Sequence, residues 1–154
     1  MASGSFTGST NNQYITPRIL WSSTANPETN TSNITVTFQL MKSSASSTAT
    51  SGTGAWTVLI NGTTYDFSAS VTIPANGTYI TVYTKTVNNI PHNSDGTKSV
   101  LLGWTGGIPG TSYTTTSIPN TTVNLDTIAC KHVVLSKDCL EVQCFLIPYS
   151  SIFS

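Results

Sequence analysis

A hairpin signal in the middle of the chain constrains its fold more than any other feature. Residues 56–60 and 63–67 are two runs of alternating apolar and polar side chains, joined by Asn61-Gly62. Asn-Gly between such runs predicts a two-residue hairpin, because a type I′ turn requires positive φ at both central residues. Pairing of the two runs across this turn places their apolar side chains on one face, which we predict to be core. These side chains are Trp56, Val58, Ile60, Tyr65 and Phe67.

The same period of two recurs along most of the chain. Residues 34–40 alternate strictly, which indicates a half-buried strand. Residues 78–87 alternate as well, and their phase predicts that Tyr79 and Tyr83 share the face opposite Val82. The chain contains 28 Thr and 21 Ser among its 154 residues, and β-branched Thr favours strands. Short strand-like runs without helical periodicity predict an all-β, antiparallel β-sandwich of about seven to nine strands.

Changes in composition divide the chain into three parts. Residues 1–13 are poor in apolar side chains, and we predict a flexible N-terminal arm there. Residues 14–128 carry the strand pattern and form the predicted sandwich domain. Residues 129–154 contain all three cysteines and almost no Thr, and they include two further strand-like runs. This segment is either a docking extension or a tail translated in a different frame from an ancestral sequence. The cysteines are Cys130, Cys139 and Cys144.

Charge and the N-terminal sequence indicate where such a protein works. The formal net charge is zero and charged residues make up only 8%, so we expect no nucleic-acid partner. The apolar runs are too short to span a bilayer, which argues against membrane insertion. Residues 1–10 have neither the basic region nor the apolar region of a secretory signal. A virion protein, made in the host cytoplasm and released by lysis, fits this combination. The alternative is an extracellular protein whose signal has been removed.

The reactive side chains do not form a recognisable catalytic or metal-binding pattern. The six carboxylates are scattered singly along the sequence, whereas a glycosidase needs two that converge. His92 and Asp95 could supply part of a triad, but no nucleophile motif accompanies them. We expect Asn93 and Asp95 instead to bind backbone N–H groups in their loop. The cysteine spacing, with His132 nearby, does not complete a zinc site. We therefore predict no catalytic residues, no metal and no cofactor.

An aromatic platform for a sugar is a further hypothesis. Carbohydrate sites combine an aromatic ring with short polar side chains that bind hydroxyl groups. Trp104 and Tyr113, with the glycine-rich residues 106–110 between them, could form such a site together with Tyr79 and Tyr83. The alternative is that Trp104 fills the core and the tyrosines pack on a neighbouring subunit.

One stretch of the chain resembles a known family. Residues 87–100 contain a His-Asn-Ser-Asp-Gly-Thr-Lys-Ser run between two strand-like segments. This run is similar to one found in phage minor structural and tail-tip proteins, a siphophage family of unknown function with immunoglobulin-like repeats. Residues 57–65 and 115–119 resemble the same family, and the likeness extends over residues 14–125. It implies an immunoglobulin-like sandwich and offers no catalytic residues to transfer.

These observations lead to a functional expectation with two rivals. We expect a non-enzymatic structural or adhesion protein of a phage virion or tail. Its partners would be other virion proteins or copies of itself, with a host cell-surface glycan as a further ligand. The first rival is a carbohydrate-binding module of a secreted bacterial protein. The second, and weakest, is a fragment of an enzyme.

Overall fold

The computed structural model of the protein describes residues 1–109 and 115–129. Within these residues every regular element is a strand, and the nine strands are as follows: β1 Ser3–Thr7, β2 Ser9–Thr10, β3 Ile15–Asn26, β4 Thr31–Lys42, β5 Thr50–Ile60, β6 Thr63–Ile73, β7 Tyr79–Pro91, β8 Ser99–Gly107 and β9 Thr115–Asn124. They form two antiparallel sheets, with strand orders β1-β3-β4-β7 and β2-β9-β8-β5-β6. The two sheets pack face to face, so the predicted all-β sandwich is confirmed. The immunoglobulin-like topology implied by the family resemblance stays a prediction.

The predicted hairpin is present with the expected register. Ile60 pairs with Thr63 across a turn in which Asn61 has φ 51° and Gly62 has φ 81°. Both central residues therefore have the positive φ that a type I′ turn requires. Trp56, Val58 and Ile60 are buried, and their partners Tyr65 and Phe67 lie half-buried at the edge of the core.

The core lies between the sheets and is built from the alternate positions of each strand. β4 contributes Ile34, Val36, Phe38 and Leu40, all almost fully buried, as the strict alternation predicts. Aromatic rings fill the centre, where Trp104 meets Phe38 edge-on at 5.5 Å between ring centroids. The described residues include no helix that is long and apolar enough to cross a membrane.

The N-terminal segment belongs to the sandwich, so the prediction of a flexible arm over residues 1–13 differs from the structure. β1 pairs with β3, whereas β2 pairs with β9 of the other sheet. The chain crosses between sheets at Gly8, where a Cβ would overlap the carbonyl of Ser117. The crossing falls beside Pro17, whose carbonyl accepts from Gly8 N. Because proline has no N–H, the hydrogen-bond ladder between β1 and β3 is interrupted at this residue. Backbone hydrogen bonds hold this Ser- and Gly-rich segment in place. Because such bonds do not require apolar side chains, the sequence shows little hydrophobic pattern there.

Candidate functional site

The loop between β7 and β8, which contains the run that resembles the phage tail proteins, is anchored by a buried histidine. His92 is 8% exposed; its Nδ1 lies 2.8 Å from the carbonyl of Gly96 and its Nε2 lies 2.8 Å from Ser32 Oγ. Because a carbonyl only accepts, Nδ1 donates to Gly96 O, and this tautomer leaves Nε2 to accept from the Ser32 hydroxyl. Gly96 O also accepts the N–H of Ile128. His92 thus joins β4 to the β7–β8 loop, and the Gly96 carbonyl joins that loop to the segment after β9.

Asp95 is occupied within its own turn and does not contact His92. Its Oδ1 accepts from Thr97 N at 2.9 Å and from Thr97 Oγ1 at 2.7 Å. These two hydrogen bonds, led by the one from the hydroxyl, hold the pKa of the Asp95 carboxyl below its ordinary value. Asn93 donates from its side chain to the same Thr97 hydroxyl. The structure therefore supports the role expected of Asp95, which binds a backbone N–H of its loop, whereas the Asn93 side chain binds a hydroxyl group instead. The residue that does meet His92 is Ser32, which is completely buried.

The residues predicted to form an aromatic sugar platform do not come together. Trp104 is only 1% exposed and packs between Phe38 and Trp56, so the prediction that it contacts a glycan is wrong for this structure. The alternative interpretation, a tryptophan that fills the core, describes its position. Tyr113 lies outside the described residues, as do residue 110 of the glycine-rich loop and the cysteines of the C-terminal segment.

A β-bulge separates the two remaining tyrosines. β7 pairs with β4 so that Phe38 faces Tyr83 and Gln39 faces Thr81, which leaves Val82 as an extra residue. The extra residue reverses the phase of the strand. Tyr83 therefore stacks on Phe67 at 4.2 Å between ring centroids, beside the core, while Tyr79 lies on the outer face. The prediction that Tyr79 and Tyr83 share a face is wrong. It assumed an unbroken period of two from Tyr79 to Tyr83, whereas the bulge adds one residue between them.

Tyr79 belongs to a polar cluster on the outer face of the first sheet. The Arg18 guanidinium lies 3.5 Å above the Tyr79 ring. Arg18 also donates from Nε and Nη2 to Gln39 Oε1, at 3.0 and 2.6 Å. Gln39 in turn donates to Thr81 Oγ1 at 3.2 Å. The Arg18 guanidinium covers one face of the Tyr79 ring, and the polar neighbours of the ring are hydrogen-bonded to one another. Tyr79 is therefore poorly placed to stack against a sugar.

A larger cleft lies at the end of the sandwich where β3 and β5 begin and β4 ends. Its volume is about 780 Å³, compared with about 340 and 410 Å³ for two shallow depressions on the outer sheet faces. Tyr14 lines it and, at 37% exposure, is the one exposed aromatic side chain among the described residues. The remaining lining is polar apart from Ala49: Asn11, Asn12, Gln13, Lys42, Ser46, Thr48, Thr50 and Ser51.

Hydrogen bonds within the loop between β2 and β3 fix the Tyr14 side of the cleft. Asn12 Oδ1 accepts from Tyr14 N at 2.9 Å, and Asn12 O accepts from both Ile15 N and Thr10 Oγ1. Tyr14 O accepts from Ser43 N at 2.8 Å, which ties this loop to the segment after β4. The backbone around the cleft is thus held in one arrangement, and a ligand would meet a largely preformed surface.

Lys42 provides the only charged side chain in the lining of this cleft. The residue is 5% exposed, and its Nζ donates to Thr50 Oγ1 at 2.7 Å. The alternating pattern of β4 indicates that Lys42 is buried, although Lys42 is not among the site residues predicted from the sequence. Lys42 follows Ile34, Val36, Phe38 and Leu40 in phase, so the alternation places a cation on the core face of β4. Tyr14 gave no comparable signal, because loop exposure depends on the fold.

The opposite flank of the sandwich presents the edges of two long strands. β6 has eleven residues and β7 has thirteen, and each is the last strand of its sheet in the part of the chain that the structure describes. Between them, Phe67 stacks on Tyr83 and the Lys85 ammonium lies 4.7 Å from the centre of the Tyr65 ring. β7 carries the bulge and Lys85, two features that discourage pairing with another strand. β6 pairs with β5 without a register shift and contains neither proline nor lysine.

Comparison with known proteins does not assign this chain to a group. No protein-family model matches it, and a search of curated proteins finds no sequence that is significantly similar.

Proposed function

We propose that this protein is a non-enzymatic structural or adhesion domain of a phage virion or tail. It would act through strand edges and loops that contact other virion proteins or further copies of itself. The proposal rests on the run around His92 that resembles the phage tail proteins, and on a composition rich in Ser and Thr with zero net charge. The immunoglobulin-like topology of the related tail proteins belongs to the same proposal.

The edge of β6 is the observation that carries the assembly role. An unpaired strand edge exposes a row of N–H and C=O groups, and natural proteins usually shield long edges with proline, lysine or bulges. β6 contains no proline, lysine or bulge over its eleven residues, and Asp66 is its one charged side chain. Such an edge favours the addition of a strand from a partner, which would satisfy the free backbone groups of both chains. A virion or tail supplies partners at fixed positions.

The geometry of the hairpin allows this edge to be blocked selectively. Because Ile60 and Thr63 flank a two-residue turn, Thr63 and every second residue after it direct their N–H groups at β5. Ser68 is exposed and lies in the other phase, so its N–H points to the free edge. Ser68→Pro should remove one edge donor without breaking the β5–β6 ladder, and Ser68→Thr retains the donor as a matched control.

Detection of the chain in a particle tests the proposal directly. Mass spectrometry of purified virions and immunogold electron microscopy should find it in stoichiometric amounts at one structural position. Ser68→Pro should reduce its incorporation or self-association, measured by light scattering after size exclusion, whereas Ser68→Thr should not. Absence of the chain from every particle or filament of its source would refute the virion assignment. Equal assembly of both variants would refute the role of the β6 edge.

A second candidate function is carbohydrate binding, as in a module of a secreted protein. One observation favours it: Tyr14, the one exposed aromatic residue in the part of the chain that the structure describes, lies beside the 780 Å³ cleft. This volume falls within the range of about 300–1,000 Å³ that is usual for small-ligand pockets. A tail adhesin that binds a host glycan would need the same kind of site.

A further inference from the structure

We propose that the cleft between Tyr14 and Lys42 binds a carboxylate-bearing saccharide, with the carboxylate on the Lys42 ammonium and a sugar ring against Tyr14. The inference rests on the adhesion part of the proposed function and gives it a ligand class. It differs from the platform predicted from the sequence in every residue, because Trp104 is buried and Tyr79 lies beneath Arg18.

The charge of Lys42 is the first step of the argument. An ammonium group has three protons to donate, and Thr50 Oγ1 is the one hydrogen-bond acceptor that it meets among the described residues. Within those residues the only ion pair joins the Met1 amino group to Asp126, so none of the described carboxylates neutralises Lys42. A buried charge without a partner is costly. An anion that entered the cleft would supply the missing countercharge and accept from the remaining N–H groups.

The rest of the lining determines which kind of anion fits. Apart from Lys42, Tyr14 and Ala49, the cleft is lined by amide and hydroxyl side chains. Short groups of this kind exchange hydrogen bonds with sugar hydroxyls, and an aromatic ring packs against the C–H face of a pyranose. Eight of the ten lining residues carry an aliphatic hydroxyl, amide or ammonium group, which favours a ligand with many hydrogen-bonding groups. A single cation matches one carboxylate per bound unit, as in a uronic or sialic acid.

A paired set of saccharides tests this ligand class. Trigalacturonate and its methyl ester share their rings and differ in charge, as do 3′-sialyllactose and lactose. Isothermal titration of the full chain should give at least tenfold tighter binding for the carboxylated member of one or both pairs. Binding of that member should weaken as salt is added, because salt screens charge. Equal binding within both pairs, or none to any member, would overturn the inference.

Variants then assign the binding to the cleft. Lys42→Met removes the charge while retaining an unbranched chain, and it should lower affinity for the carboxylated saccharide at least tenfold. Lys85→Met is the control, because Lys85 lies over Tyr65 on the other flank. Tyr14→Ala changes a loop side chain outside the core and should also weaken binding, so the test survives if Lys42→Met fails to fold. Unchanged affinity in Tyr14→Ala would contradict the site.

Three further outcomes separate the possible failures. If acetate and inorganic phosphate compete with the saccharide at equal concentrations, the cleft is a simple anion site and the saccharide assignment is wrong. If the chain occurs in virions but binds none of the four saccharides, this inference fails and the proposed structural role stands. If it binds them through the cleft but occurs in no particle, the virion assignment fails and the ligand class stands.

Discussion

Removal of the His92 side chain should destabilise the sandwich more than its position beside an exposed loop suggests. His92→Ala deletes the buried hydrogen bonds to Ser32 and Gly96. Each bond contributes about 0.5–1.5 kcal/mol net, and an orphaned buried hydroxyl costs about 1–3 kcal/mol more. Ser32 Oγ, in a fully buried residue, would become such an orphan, whereas Gly96 O keeps its bond from Ile128 N. The expected loss is about 3 kcal/mol, a large part of the roughly 5–15 kcal/mol typical of a domain.

A double-mutant cycle separates the orphan cost from other effects. Ser32→Ala in the His92→Ala background removes the orphaned hydroxyl, so the double variant should be no less stable than His92→Ala alone. The coupling energy between the two positions should be about 1–2 kcal/mol. Asn93→Ala is the matched control. Asn93 is the next residue and is exposed, and its side chain bonds only to Thr97 among the described residues, so the change should cost less than about 1 kcal/mol.

Urea unfolding followed by tryptophan fluorescence measures these differences, because two of the three tryptophans, Trp56 and Trp104, lie in the core. The transition midpoint should fall in His92→Ala with an unchanged slope. A loss below about 1 kcal/mol, or strictly additive effects of the His92 and Ser32 changes, would refute the assignment of His92 as a buried hydrogen-bonded link.

Four further substitutions test a buried ring, two glycines with positive φ and one carboxylate with a lowered pKa. Trp104→Ala should lower the free energy of unfolding by about 3–5 kcal/mol, measured in urea, because the ring lies in the core. An unchanged transition would instead support a surface position for Trp104. Gly62→Ala should cost about 1 kcal/mol through its positive φ alone, since nothing lies within 4 Å of a Cβ there. Gly96→Ala should cost more, because its Cβ would also overlap the Ile128 carbonyl; equal losses would contradict the tight packing. The pKa of Asp95 is lowered by folding, so its stabilisation is present above the unfolded pKa of about 3.9 and is lost as pH falls through the folded value. Asp95→Asn should therefore flatten the loss of stability with acid, seen as a smaller shift of the urea midpoint between about pH 5 and 2.

The strands with an unbroken period were predictable because pattern and burial coincide there. Residues 34–40 and the hairpin at Asn61-Gly62 have the predicted faces and register. In both cases a period of two, with one face apolar, leaves a single way to bury the strand. The turn dipeptide then sets the pairing without reference to distant residues.

Features that depend on distant strands were not predictable in the same way. The bulge at Val82 arises from the pairing of β7 with β4, and it moves Tyr83 to the core side while Tyr79 stays outside. β1 and β2 are held by backbone hydrogen bonds to two different sheets, and their Ser-, Thr- and Gly-rich sequence has almost no apolar alternation to reveal them. In each case tertiary pairing, and not local sequence, decides the conformation.

The two ends of β4 explain why the conspicuous sequence motif and the candidate site do not coincide. Ser32 near the start of the strand holds His92, and Lys42 at its end lies in the cleft. Ten residues of strand separate them by about 33 Å. At the His92 end, loops are joined to one another by buried and backbone hydrogen bonds, whereas the Lys42 end places a buried cation and an exposed aromatic residue beside a cleft. A motif that stands out in sequence can thus secure one end of the sandwich, while the residues suited to a ligand lie at the other end without a motif.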